Sequence, residues 1–473
     1  MIGFLFLSGL VMGDRGRPVS DGPNIVMIVS DDQSWESIPR RPAVMPYLQS
    51  RLKDPSDHWI QFPNAFVNTA LCCPSRATIL SGQYAFRTGV LANGDGQRFR
   101  DRSTLATWLH DVGYYTGLFG KYMNRYPFEQ QPFVPPGWDE WAAKMHGGIE
   151  TVYFNYTLYG DGRQTYFGAE PQDYMTDVLA EQAVGFIEDA PGGRPFFLYY
   201  APTAPHAPFV PPPRHEGAFW DAELDHPPSV AESDLEDKPQ WVQDLPKVTD
   251  RRQDELDYQH RNAYETLLGV DDGVRRIMEA LEAQGVLDET VVIYVSDNGY
   301  SFGEHSVLAK RCPYDECARV PLFVRMPGQA ARDEDFVVSN ADLAPTITAL
   351  AGTNPGIRSD GLDVSTLVRG ASPAPARPGV VIEWAGDAEI PAFWAYRTKR
   401  YLYTWYPTTG EEELYDLKQD PWALGNVVEE PDYEETRVRL SDLLGAAVPE
   451  WAVSRSVEGS AAAAASARNR TRN

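Results

Sequence analysis

The chain has 473 residues, enough for one large domain and a smaller companion. Its 42 lysines and arginines face 67 aspartates and glutamates, a formal net charge of −25. That balance argues against nucleic acid or an anionic membrane surface as the main partner, and against a long polyanion spread over the surface. It leaves room for a small anion in a locally basic pocket.

The N-terminus, "MIGFLFLSGLVMGDRG", carries an apolar run too short to span a bilayer. It resembles the apolar stretch of a signal peptide without a basic start or a small-residue cleavage site. Residues 1–22 are therefore read as a truncated leader or a disordered N-terminus. No other apolar run is long enough to cross a membrane. Four cysteines, Cys72, Cys73, Cys312 and Cys317, are too few for a disulfide scaffold. A local Cys312–Cys317 bridge and two unpaired thiols are both open readings.

Four nearly continuous apolar runs predict buried parallel strands: "NIVMIVS" (24–30), "YYTGLFG" (114–120), "PFFLYYA" (195–201) and "TVVIYVS" (290–296). Helical patterns separate them: "STLATWLHDVG", "YMTDVLAEQAVGFIED" and "ETLLGVDDGVRRIMEALEAQG", the last stopped by Gly285. This alternation predicts an α/β fold, a large doubly wound, mostly parallel sheet flanked by helices. A Pro-, Trp- and acid-rich excursion from about His206 to Lys247 reads as a functional rim. From about Gly379, "GVVIEWAG", "FWAYRTKRYLYTWYP" and "EEELYDL" read as antiparallel strands, followed by a helix near 434–444. The expected division is a catalytic domain over 23–372, a C-terminal α+β subdomain over 373–452 and a disordered tail over 453–473.

The first residues beyond each strand carry chemistry. Asp31 and Asp32 come after the first, Lys121 after the second, a "PTAPHAP" loop with His206 after the third, and Asp297 and Asn298 after the fourth. Ligands of open α/β sheets bind outside the carboxyl ends of the strands. Three carboxylates and an amide oxygen are hard donors that suit Ca2+ or Mg2+ rather than zinc. Taken singly, Asp31 as a helix cap and Asp297-Asn298-Gly299 as a turn remain open. So do a solvated Lys121 and a packed His206, and Lys310 in "EHSVLAKRCPYDE" has no periodic context.

In "TALCCPSRATILSG", Pro74 fits the first position of a helix, which puts Cys72 and Cys73 just ahead of its N-terminus. Free amides and the helix dipole there favour an anion, and Arg76 adds fixed positive charge. Two buried cysteines or a low-pKa nucleophilic thiolate are the direct readings. Neither accounts for a hard-cation site alongside, because a thiolate is a soft ligand. An oxygen nucleophile fits better, so residue 72 is expected not to be a thiol in the working protein.

"CCPSRATILSG" resembles the signature of the type I sulfatases, C-x-P-S-R followed by an apolar stretch ending in S/T-G. "NIVMIVSDDQ", "GKYMN", "PPGWDEW", "APHAP", "VSDNGY", "KRCPYDE", "RVPLFVRMPG" and "LYDLKQDP" resemble segments of the same family in the same order. The branch most similar is that acting on 6-sulfated glucosamine of glycosaminoglycans. The resemblance implies an alkaline-phosphatase-like fold and hydrolysis of sulfate monoesters of sugars or aryl alcohols. It implies that a formylglycine-generating enzyme oxidises Cys72 to formylglycine, whose metal-activated hydrate attacks sulfur and forms a covalent sulfo-enzyme intermediate. It further implies that Asp31, Asp32, Asp297, Asn298 and residue 72 hold Ca2+, with Mg2+ a possibility. Arg76 then orients the hydrate, Lys121 and Lys310 bind sulfate oxygens, and His206, with or without Lys310, protonates the leaving oxygen. Export to a secreted, periplasmic or lysosomal location is the family expectation, with a cytoplasmic one left open.

One departure stands out. Where many family members carry a histidine two residues after the lysine matching Lys121, this chain has Met123, so the base for sulfate release is unassigned. Asn124 and His146 are candidates, while His305 is expected to be structural. Two other readings stay in play: a phosphate or phosphonate ester hydrolase of the same superfamily, and a non-catalytic sulfoglycan-binding protein if Cys72 stays a thiol.

Overall fold

The computed structural model describes residues 21–454 apart from 40–41, 129–130, 231 and 372–375. Nearly all of the leader assigned to the N-terminus and of the assigned tail lies outside the described residues.

The four apolar runs are strands: β1 (Asn24–Ser30), β3 (Tyr115–Gly120), β7 (Phe196–Ala201) and β8 (Thr290–Ser296). They join β2 (Trp59–Gln61), β4 (Glu140–Lys144), β5 (Tyr156–Gly160), β6 (Arg163–Phe167), β9 (Leu322–Arg325) and β10 (Arg332–Asp333) in a 10-stranded sheet. The order is β10-β2-β9-β8-β1-β7-β3-β4-β5-β6. The central strands β8, β1, β7, β3 and β4 run parallel, and antiparallel pairings occur only toward the two edges. This is the doubly wound, mostly parallel sheet that the strand–helix alternation predicts.

Every residue of β1 is buried because both faces of the sheet are covered. Val26 and Ile28 join Leu198, Tyr200, Val292 and Tyr294 in a layer against the helices α3 (Met175–Asp189) and α4 (Asp250–Ala283). Ile25, Met27 and Val29 face the other way, against α1 (Cys72–Ser81), α2 (Leu105–Asp111) and the helix Leu343–Leu350. Each such aliphatic side chain contributes roughly 1.5–3 kcal/mol by leaving water.

A second sheet of four antiparallel strands, β11 (Gly379–Trp384), β12 (Phe393–Thr398), β13 (Tyr401–Trp405) and β14 (Glu412–Asp416), runs in sequence order. Its Val381, Trp394, Tyr396 and Leu414 pack on Leu440 and Leu444 of the helix α5 (Glu434–Ala447). Its other face, through Ile382, Trp384, Phe393 and Leu402, enters the same core as the odd-numbered side chains of β1. Among the described residues no helix is long and apolar enough to cross a membrane.

Two local expectations need correcting. The helix assigned to start at Pro74 starts at Cys72, with Leu71 as its N-cap, so both cysteines lie in the first turn. Proline is tolerated there because first-turn amides have no intrahelical acceptor. The helix read from "ETLLGV" onward extends upstream to Asp250, capped by the Thr249 side chain, which accepts from Arg252 N–H. Its first turns are polar and show little apolar periodicity, which hid them. Cys312 and Cys317 form a disulfide, with their Cα atoms 5.8 Å apart.

Candidate active site

The site forms where four adjacent strands, β8, β1, β7 and β3, end together. Ser30 and Ser296 are register partners in parallel strands, so Asp31 and Asp297 leave the sheet side by side. Gly120 and Ala201 are partners in the same sense, which brings Lys121 beside the loop that carries His206. Gly120 has φ +124° and a Cβ there would lie 2.0 Å from the Ala201 carbonyl oxygen, so only glycine fits ahead of Lys121. Asp32 sits in the left-handed region at φ 73°, a strained conformation for a non-glycine residue of the kind that concentrates at functional sites. Its amide donates to Asp297 Oδ1 at 3.1 Å.

One oxygen from each of Asp31, Asp32 and Asp297 lies within 4.8 Å of the other two. All three residues are buried. Asn298 donates through Nδ2 to Asp32 Oδ1 at 2.7 Å and to the Gly299 carbonyl at 2.8 Å, which turns its Oδ1 away from those partners. Asn298 Oδ1 and Asp32 Oδ2 are buried and accept no hydrogen bond. Buried oxygens without donors are costly, and a hard cation would satisfy both together with the remaining carboxylates. The donor set therefore fits Ca2+ or Mg2+.

Positive side chains surround this cluster. Lys121 Nζ lies 2.5 Å from Asp31 Oδ2, and Lys310 Nζ lies 2.5 Å from Asp32 Oδ1. Arg76 is fully buried; its Nε donates to Asp297 Oδ2 at 2.8 Å and its Nη1 to the Lys121 carbonyl at 2.8 Å. Lys310 is presented from a loop in which both flanking residues, Ala309 and Arg311, have positive φ. The Cys312–Cys317 bridge begins two residues later. His206 Nδ1 is 2.6 Å from the Ala207 carbonyl, which can only accept, so Nδ1 carries the proton. Its Nε2 then faces Asp32 Oδ2 at 3.7 Å.

Cys72 stands at the centre. Its Sγ is 3.5 Å from Asp31 Oδ1, 3.8 Å from Asp32 Oδ1 and 2.9 Å from Lys310 Nζ. Burial pushes the thiol up to about 12, against the pull of Lys121 and Lys310. As a thiol it is protonated at neutral pH and a poor nucleophile. Burial alone would raise Asp31 too, but Lys121, His206, Arg76 and Lys310 outweigh it and hold that carboxyl well below the ordinary range. Asp297 is pushed up to about 6 by burial and by Asp31, against Arg76. Burial lowers His206, and Asp32 offsets it only in part. For Lys310 the balance is reversed: burial opposes the charge, and Asp32 raises the ammonium well above its ordinary value.

All nine residues named from the sequence, Asp31, Asp32, Cys72, Arg76, Lys121, His206, Asp297, Asn298 and Lys310, thus converge on one buried cluster. Of the side positions, Met123 is buried and packs its Sδ 3.6 Å from Cys73 Sγ, so it is core. Asn124 and His146 line the cleft beside Lys121. His305 is buried, hydrogen-bonded through Nδ1 to Glu232 at 2.7 Å and packed on Tyr314, a structural place. Lys144 was missed. It ends β4, and because Gly120 pairs with Ala143 it occupies the strand-end position next to Lys121. The strand-end rule that singled out Lys121 would have found it had "EWAAK" been recognised as a strand.

Comparison with known proteins agrees with this geometry. The sulfatase family matches residues 23–353, and the C-terminal region described as that of N-sulphoglucosamine sulphohydrolase matches 303–448. An arylsulfatase of Volvox carteri is 31% identical over 514 aligned positions, covering 94% of this chain and 76% of that protein. The human N-acetylglucosamine-6-sulfatase is 32% identical, covering 81% and 70%. An extracellular sulfatase of Drosophila melanogaster is 30% identical over 73% of this chain, which spans 31% of that longer protein. Among solved structures, one in complex with its substrate D-glucosamine-2-N,6-O-disulfate superposes with a TM-score of 0.76 at 23% identity, covering 90% of this chain and 97% of its own. A phosphonate monoester hydrolase of Agrobacterium radiobacter gives 0.73 at 21% identity, covering 90% and 95%. At those identities the structures speak for the fold; the match over 23–353 and the two relatives at 31–32% identity show that the chain belongs to the sulfatase family of sulfuric ester hydrolases.

Proposed function

We propose that this chain hydrolyses sulfate monoesters of short sulfated saccharides, using a formylglycine made from Cys72 by a formylglycine-generating enzyme and passing through a covalent sulfo-enzyme intermediate. The observation that carries this reading is the position of residue 72: its side-chain atom lies against Asp31, Asp32 and Lys310, where an oxygen nucleophile suits the surroundings and a thiol does not. Asp31, Asp32, Asp297, Asn298 and residue 72 would hold Ca2+ or Mg2+. When bound, the cation would supply charge that lowers the pKa of the residue-72 hydrate.

The protein's own groups then divide the work. Arg76 holds Asp297 and the Lys121 carbonyl in place and would orient the residue-72 hydrate. Lys121 and Lys310 stay charged and would bind sulfate oxygens as negative charge shifts onto them. His206 has its Nδ1 proton tied to Ala207, so Nε2 bears a proton only in the imidazolium form, and from that form it would deliver the proton to the leaving alcohol. Burial makes His206 the more acidic donor of the two, while Asp32 keeps the Lys310 proton in place.

The sugar assignment draws on the N-acetylglucosamine-6-sulfatase relatives and the disulfated glucosamine bound in the superposing structure. Export is the companion proposal, supported by the extracellular relative. Phosphonate monoester hydrolases share the fold, which makes phosphonate or phosphate esters the second reading. Sulfate release from N-acetylglucosamine 6-sulfate and from an aryl sulfate, set against hydrolysis of a matched phosphonate ester, tests the choice. Sulfate turnover in the wild type and none in Cys72→Ala is expected; faster phosphonate turnover would overturn the sulfatase assignment.

A further inference from the structure

A cleft of about 230 Å3 opens beside the buried cluster. Its walls carry Lys121, Arg125, Lys144, His146 and His206 against the single carboxylate of Asp31. For a protein with a net charge of −25 this is a local reversal of sign, and local charge in a cleft, not the total, selects a ligand.

The proposed chemistry gives tasks to Lys121 and His206 and leaves Lys144, like Arg125 and His146, without one. Gly120 and Ala143 are register partners in parallel strands, so Lys121 and Lys144 come directly after them at adjacent strand ends, where neighbouring backbones lie about 4.8 Å apart. Lys121 is matched by Asp31, while Lys144 Nζ reaches only neutral oxygens, the Met145 carbonyl at 3.2 Å and Thr151 Oγ1 at 3.4 Å. Among the described residues no carboxylate forms an ion pair with it. Burial, and next the Lys121 ammonium, push its pKa down to about 8; Asp31 and Glu150 oppose this only weakly. A partly buried ammonium that lacks a counter-ion, set one strand from the proposed sulfate-binding lysine, is a place where an incoming anion gains a charge-assisted hydrogen bond and relieves like-charge repulsion.

We propose that Lys144 forms a subsite for a second anionic group of the substrate, a sulfate or carboxylate on the same or the adjoining sugar, and so selects multiply charged saccharides over singly sulfated ones. The proposal rests on the sulfatase reading for its choice of substrate and extends it to a specificity residue. The acidic remainder of the surface limits such a substrate to short oligosaccharides, since a long polyanion would meet repulsion beyond the cleft.

The test is equilibrium binding to Cys72→Ala protein, which holds ligand without turnover. Three probes are compared: N-acetylglucosamine 6-sulfate, glucosamine 2-N,6-O-disulfate, and a singly sulfated disaccharide bearing a uronate. The second anion should tighten Kd about tenfold, the value of one charge-assisted contact. That gain should vanish in Lys144→Met and Lys144→Gln and persist in Lys144→Arg, with melting curves confirming that each variant folds. Whichever of the disulfate and the uronate shows the gain identifies the anion. No gain from either, or a gain that survives in both neutral variants, overturns the subsite. Turnover by wild-type enzyme is read separately: a Lys144-dependent gain in a protein that releases no sulfate keeps the subsite and rejects the sulfatase reading.

Discussion

The Asp297 amide donates to the Ser30 carbonyl at 3.0 Å, and the Asp32 amide donates to Asp297 Oδ1 at 3.1 Å. These two bonds lock the ends of β1 and β8 together and bring their carboxylates into one cluster. The cost of crowding buried carboxylates is met by Arg76, Lys121 and Lys310, and two oxygens still lack donors. A hard cation would complete that arrangement.

Chelation should therefore abolish sulfate release and lower the melting temperature together. A metal present at a hundredfold its Kd stabilises the native state by about 2.7 kcal/mol, which EDTA would remove and Ca2+ or Mg2+ restore. Asn298→Ala should weaken the restoration by deleting one of the two unpaired oxygens. Calorimetric scans with and without chelator, run beside activity, check both effects.

Arg76 is the charge that the cluster has least freedom to lose. It has no exposure, and it bonds Asp297 directly. Arg76→Met leaves buried carboxylates uncompensated and should cost about 3–5 kcal/mol of stability, besides abolishing activity. Denaturant unfolding of the variant measures the loss, and a change near zero would mean that other groups hold Asp297.

The Cys312–Cys317 bridge braces the loop that presents Lys310. Opening it by mild reductant or by Cys312→Ser with Cys317→Ser should let the Lys310 ammonium wander from residue 72. A misplacement of that kind predicts a fall in kcat of about ten- to hundredfold, with a smaller change in KM. Steady-state kinetics on one aryl sulfate separates the two constants. An unchanged kcat would show that the bridge serves stability alone.

Glu383 lies away from the site, buried, and accepts from the Phe86 amide at 3.3 Å. Burial pushes its carboxyl up to about 8. The unfolded chain releases that proton near the ordinary value and the folded chain only near 8, so between those values the unfolded state binds fewer protons. Stability contributed at this position is therefore lost as pH rises from about 4.5 to about 8. Glu383→Gln should flatten that decline, with a benefit on the order of a few kcal/mol above pH 8 and little at pH 4.5. Melting temperatures of both proteins across that range test it.

Much of this site could be read from the chain alone because strand ends announce themselves. "NIVMIVS" and "TVVIYVS" are apolar throughout, so the first polar residues after them had to emerge at the sheet's edge, and Asp31 and Asp297 do. Lys121 and His206 emerge by the same logic. Lys310 is different: its loop has no periodicity, and only the family resemblance singled it out before the structure placed its amine 2.9 Å from Cys72 Sγ. Lys144 escaped because "EWAAK" is short and flanked by charge, so nothing marked it as a strand. The disulfide could not be decided either. Five residues of separation fit several chain paths, and it is the short helix Asp315–Ala318 that turns Cys317 back toward Cys312.

The central claim is that residue 72 works as a formylglycine and not as a cysteine. Peptide mass spectrometry across preparations of differing modification, each assayed for sulfate release, tests it most directly. The peptide carrying residue 72 should be about 18 Da lighter than its cysteine form in active protein, and activity should rise in proportion to that fraction. Full activity in protein whose residue 72 is entirely thiol would contradict the account.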